Sequence, residues 1–87
     1  MKKMNSVEYT IKAAKQLRKL QAQDSKLIRS ECDTLADMPN CKNVRSLVNH
    51  EYQFRLRVGN YRIFFNFDGV VRIVTIEEVK KRDERTY

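Results

Sequence analysis

Eighty-seven residues suffice for one domain, 1–87, with only a modest core to hold it. Lysine and arginine number 18 against 11 aspartates and glutamates, a formal net charge of +7, and hydrophobic residues make up 41% of the chain. This composition excludes a disordered chain, the lack of any apolar run near about 18 residues excludes a spanning helix, and the charge points to an anionic partner such as nucleic acid or an acidic protein.

Met1 to Tyr9 carries two lysines with no apolar core behind them, so it does not read as a secretory signal, and a cytoplasmic protein without a membrane partner is expected. Val7 and Tyr9 alternate with polar residues and predict a short first strand. From Ile11 the period changes: Ile11, Ala14, Leu17 and Leu20 recur at helical spacing, with Thr10 as the N-cap. After a turn at Gln21 to Gln23, Asp24 is expected to cap a second helix carrying Leu27, Ile28, Cys32 and Leu35 inward and ending before Pro39. Two such helices joined by a short turn make an antiparallel hairpin.

Val44 to Leu47 reads as a short strand. Tyr52, Phe54, Leu56 and Val58 alternate with Gln53, Arg55 and Arg57, a half-buried strand, and Gly59-Asn60 signals a hairpin turn. Tyr61 to Phe67 forms the next strand, with Tyr61, Ile63, Phe65 and Phe67 on one face. Asp68-Gly69 marks another turn, and Val70 to Ile76 reads as a central strand. The charged segment from Glu77 to Tyr87 is expected as a short helix or an extended end. The predicted class is α+β, in the order β-α-α-β-β-β. The helical hairpin packs on one face of a small, mainly antiparallel sheet and leaves the other face open as the working surface.

Arg55 and Arg57 share a strand face, and Arg62 falls beside Arg57 across the Gly59-Asn60 turn. Two readings are open: guanidiniums gathered to fork onto phosphate oxygens, or solvated strand residues offset by Asp68 and Glu51. The tail also has two readings. Glu77 to Lys81 and Glu78 to Arg82 fit helical surface pairs, whereas a returning strand would deliver Arg82 and Tyr87 to the arginines. His50 is an acid–base candidate or a solvated loop histidine. Tyr52 and Phe54 are expected in the core, while Phe64 shares the parity of Arg62 and is expected exposed, to stack on a base or pack on a partner. Cys32 and Cys41 are expected as reduced thiols, and a lone histidine far from any paired cysteines predicts no metal site and no cofactor.

The run from Asn43 to Leu47 and then from His50 to Ile63 resembles the centre of the RelE/ParE toxin superfamily: a leucine, a short loop, a tyrosine, an alternating basic strand, a glycine turn and Tyr61-Arg62. The ending from Val79 to Tyr87 resembles that of the RelE-like mRNA interferases. The resemblance covers nearly the whole chain. It implies a metal-independent endoribonuclease that cuts mRNA in the ribosomal A site through the RNA 2′-hydroxyl and is silenced by a cognate acidic antitoxin. It implies Arg62 as a transition-state phosphate ligand, Arg82 as a phosphate ligand or leaving-group acid, and Tyr87 as general base. Arg55 matches one lysine of the basic strand. Arg45, Arg57, Lys80 and Lys81 complete the expected RNA-binding set. Gln53 departs from the pattern, a neutral amide where the family carries a second strand lysine. The spacing from Arg82 to Tyr87 is also one residue shorter than in RelE. Two alternatives on the same fold are a ParE-like gyrase inhibitor and a binding module without catalysis.

Overall fold

The computed structural model describes residues 4–82. Strand β1 (Ser6–Tyr9) runs through Thr10 into helix α1 (Ile11–Arg18). Thr10 caps the helix as expected, its hydroxyl accepting from the Ala13 amide at 3.1 Å. The buried face is Ala13 and Leu17, with Leu20 partly covered, whereas Ile11 is 75% exposed. The reason is geometric. At 3.6 residues per turn, strict three-residue steps drift by about 60° each, so Leu17, two steps on, lies about 120° around the helix from Ile11. The spacing from 13 to 17 holds one face.

Helix α2 (Ala22–Asp33) starts at Gln21 with no side-chain cap. Asp24, expected to cap it, lies in the first turn and instead accepts a hydrogen bond from the Tyr61 hydroxyl at 2.8 Å. Ile28 and Cys32 face inward, but Leu27 is half exposed. Leu35 reaches the core from a 3-10 turn (Thr34–Asp37) that continues α2. Asn5 binds this turn to the sheet: its amide donates to the Ala36 and Met38 carbonyls at 3.1 and 3.0 Å.

The remaining strands are β2 (Val44–Ser46), β3 (Phe54–Val58), β4 (Tyr61–Asp68) and β5 (Ile73–Lys81). They form one sheet in the order β1-β5-β4-β3-β2, with β1 parallel to β5 and the other pairs antiparallel. The short strand at Val44 is real, so the meander has four strands where three were predicted. Strand β5 begins at Ile73, later than Val70, because the Asp68 carboxylate accepts from the Val70 and Val71 amides and holds a turn. Both valines are exposed there. The charged tail is strand, not helix, as far as Lys81, which pairs opposite Tyr61.

Leu17, Ile28 and Leu35 pack on Leu56, Ile63, Phe65, Val74 and Ile76, all fully or almost fully buried. Each such side chain contributes on the order of 1.5–3 kcal/mol. Strict alternation beyond Val74 and Ile76 would carry Glu78 and Lys80 into this core. A β-bulge prevents it: Phe65 lies opposite Ile76 but Phe64 lies opposite Glu78, so Glu77 is the extra residue. Val79 takes the inward place opposite Ile63, and Glu78 and Lys80 emerge on the face without helices. Beyond the end of β1, α1 serves the free edge of β5. The Thr10 hydroxyl donates to the Glu77 carbonyl at 3.2 Å, and the Gln16 amide oxygen accepts from the Val79 amide at 2.6 Å.

Candidate functional site

The helix-free face carries its cations in rows set by strand register. Arg57 is opposite Arg62, and Arg62 is opposite Lys80. One step along the sheet, Arg45 is opposite Arg55, which is opposite Phe64. The Gly59-Asn60 turn closes the end of the rows. Gly59 has φ +53° and an added Cβ would meet nothing, so backbone conformation alone calls for glycine there. The Asn60 carbonyl accepts from the Arg82 amide, which ties the chain leaving β5 to this turn.

The result is a cleft of about 130 Å³ lined by Arg55, Arg57, Gly59, Tyr61, Arg62 and Arg82. The two ion pairs among the described residues join Glu78 to Lys12 and to Lys80, at 3.5 and 3.7 Å, and no carboxylate of those residues pairs with the four arginines. Arg55 is held below the usual guanidinium range by burial, and then by the charges of Arg62, Arg45 and Arg57. Like charges set opposite one another in a ladder repel. A bound anion relieves that repulsion, and forked guanidiniums match phosphate oxygens in pairs.

Of the predicted site residues, Arg55, Arg57, Arg62 and Arg82 line one cleft. Lys80 stands beside Arg62 but shares Glu78. Arg45 is exposed across from Arg55. Lys81 is set apart: it is opposite Tyr61, whose hydroxyl turns to α2, so it belongs to the helix side of the sheet. Tyr87 lies outside the described residues. Gln53, the departure from the family pattern, has a backbone task. Its side-chain oxygen accepts from the Phe67 amide at 2.7 Å while its own amide donates to Asn66 Oδ1 at 2.8 Å, prolonging the β3–β4 ladder past the last paired residues.

Phe64 is not exposed. It is 8% accessible because the His50 ring lies on it, centroids 5.1 Å apart and planes 12° from parallel. Tyr52 flanks both rings rather than entering the core, and its hydroxyl donates to Glu78 Oε1 at 3.3 Å. Burial, then Glu51 and Glu78, push the Tyr52 phenol up to about 12, so it stays protonated at neutral pH. Phe54 does face the core, stacked on Phe65. The aromatic group was hidden from a periodicity reading because Tyr52 precedes β3, where the chain no longer alternates. The one sequence signal for it is the close spacing of His50 and Tyr52 ahead of a strand whose partner carries Phe64.

Residues 7–85 match the pattern of the ParE toxin of type II toxin-antitoxin systems. No sequence among curated proteins matches significantly. The fold is similar to RelE in the archaeal RelE–RelB complex from Pyrococcus horikoshii, with a TM-score of 0.79 and 20% identity over 95% of this chain and 99% of that one. It is similar to a chain of the RelBE2 toxin-antitoxin complex of Mycobacterium tuberculosis, with a TM-score of 0.77 and 22% identity over 91% and 99% of the two chains. The isolated E. coli RelE toxin gives a TM-score of 0.76 at 15% identity over 92% and 86%.

Proposed function

The chain belongs to the ParE toxin family of type II toxin-antitoxin systems, within the RelE/ParE superfamily, and we propose that it is an endoribonuclease acting on mRNA in the ribosomal A site. The observation that carries this reading is the cleft itself: four arginines from two strands and the end of a third, with no pairing carboxylate among the described residues. RNA cleavage from within builds negative charge on a five-coordinate phosphorus, and fixed cations aimed there favour the transition state over the ground state.

In the proposed reaction Tyr87 takes the proton of the 2′-hydroxyl, and O2′ attacks the adjacent phosphorus. The bond from phosphorus to O5′ breaks and the leaving oxygen takes a proton from solvent water, giving a 2′,3′-cyclic phosphate and a 5′-hydroxyl. Arg62 and Arg82 hold the non-bridging oxygens, because a guanidinium stays charged at any working pH. Arg55 and Arg57 hold the flanking backbone. A free phenol is a weak base near pH 7, and the cationic cleft lowers its pKa if the tail folds back upon it. An antitoxin partner goes with family membership; that it is acidic and covers the arginines is part of this proposal.

The test is to induce the chain briefly and map RNA ends. The reading expects protein synthesis to stop first, with mRNAs cut inside translated codons. The family match favours a second reading, a gyrase inhibitor without chemistry. DNA-damage signalling with intact mRNA would establish that one and overturn the first.

A further inference from the structure

We propose that His50 is a nucleobase shelf, the stacking platform for the RNA base beside the phosphate held in the arginine cleft. The inference deepens the ribonuclease reading and rests on it. The His50 ring has one face on Phe64 and is itself exposed, so the opposite face is offered to solvent. The ring is not free to turn: Nδ1 accepts from the Tyr52 amide at 3.0 Å, and the Tyr52 ring closes one side at 5.8 Å. A fixed, solvent-facing aromatic plane with an aromatic floor is the arrangement that stacks bases with little regard to sequence.

Position supplies the second argument. The floor of the shelf, Phe64, is directly opposite Arg55, which lines the cleft, and is two residues from Arg62 on the same strand face. Two residues along a strand span about 6.6 Å, the scale of one nucleotide. The carboxylate beneath the shelf does not repel a backbone phosphate strongly, because Glu78 is engaged by Lys12, Lys80 and the Tyr52 hydroxyl. Shelf and cleft form one continuous surface, apolar at one end and cationic at the other. That pairing fits single-stranded RNA, with its alternation of bases and phosphates, and a purine fits better than a pyrimidine because its larger ring system stacks more strongly.

The test uses the full chain, as wild type, His50→Ala and His50→Phe, on ribosomes programmed with mRNAs whose base beside the scissile bond is purine, pyrimidine or absent. The wild type is expected to cut the purine mRNA about 5- to 150-fold faster than the abasic one, the range for a stack of roughly 1–3 kcal/mol. His50→Ala is expected to cut all three at the abasic rate, and His50→Phe to restore the preference. Unchanged discrimination in His50→Ala overturns the shelf while leaving the nuclease intact, as does a His50→Phe variant that behaves like His50→Ala. A wild type that cuts nothing overturns the nuclease reading. The shelf then stands or falls on binding of intact against abasic 2′-O-methyl oligonucleotides, where equal or absent binding overturns it. Antitoxin affinity lost in His50→Ala with base preference retained would make the surface a protein-docking site instead.

Discussion

Arg57 and Arg62 face each other across the ladder and, among the described residues, have no carboxylate to share. A directly opposed like-charge pair costs on the order of 0.2–1 kcal/mol, so this arrangement weakens the fold. Arg62→Ala should therefore leave the thermal midpoint unchanged or slightly raised at low salt, while cleavage falls about 100- to 1,000-fold, the usual effect of removing one transition-state donor. A midpoint that drops by several degrees would show that Arg62 is a structural residue. Tyr52 offers a prediction in pH. Its phenol is raised to about 12, first by burial and then by nearby carboxylates, above the value of about 10 for a free tyrosine. The unfolded chain therefore loses this proton first. The contribution to stability is complete below about pH 10 and declines as pH climbs through the folded value. Tyr52→Phe should make the loss of thermal stability above pH 10 shallower, with Tyr9 and Tyr61, also raised, carrying the remainder. An unchanged slope would mean that the Tyr52 phenol is not raised in the folded chain.

At the level of elements, two amides do what no apolar pattern announces. Asn5 ties β1 to the turn after α2, and removing its buried side chain strands the Met38 carbonyl, while the Ala36 carbonyl keeps the Asn5 backbone amide. Asn5→Ala should cost about 1–3 kcal/mol, read from denaturant midpoints, whereas a loss under 0.5 kcal/mol would mean that water replaces the amide. Gln53→Lys tests the departure from the family pattern. It restores the cation but removes the acceptor for the Phe67 amide, so stability should fall by about 0.5–1.5 kcal/mol. A cleavage rate raised by it would show that the missing charge, and not the clasp, limits the site. These cases mark how far the sequence could be read. Strand identities, Thr10 as a cap, the Gly59 turn and the shared face of Arg55, Arg57 and Arg62 were legible, because each follows from local periodicity or turn chemistry. The start of β5, its extension to Lys81 and its bulge were not. They depend on Asp68 holding a longer turn and on a tertiary need to keep Glu78 and Lys80 out of the core. Asp24 was misread for the same kind of reason: its partner, Tyr61, is distant in sequence.

Over the whole molecule, the bulge in β5 decides the function of the face. Without it, alternation would turn Lys80 to the core and the arginine row would end at Arg62; with it, β5 joins β2, β3 and β4 in presenting cations on one side. The opposite end of that face is different in character, a broad hollow lined by Glu51, Gln53, Asn66, Asp68 and Thr75. The surface is thus polarised within a molecule whose sequence carries a net charge of +7, and an RNA strand should lie over one end of it and not the whole sheet. This gives a measurable salt dependence. If Arg62 and Arg82 share the scissile phosphate and Arg55 and Arg57 each neutralise one flanking phosphate, the logarithm of the binding constant for single-stranded RNA should fall with that of salt at a slope near −2, from about 0.7 per phosphate. Arg57→Ala should reduce the slope by about 0.7, whereas Lys81→Ala, on the helix side, should leave it unchanged. Adding the antitoxin should abolish RNA binding and raise the melting point together, since a partner that binds only the folded chain stabilises it by mass action. A slope near −6, or an equal effect from Lys81→Ala, would mean that the charge acts as a diffuse field and that the cleft is not where phosphate binds.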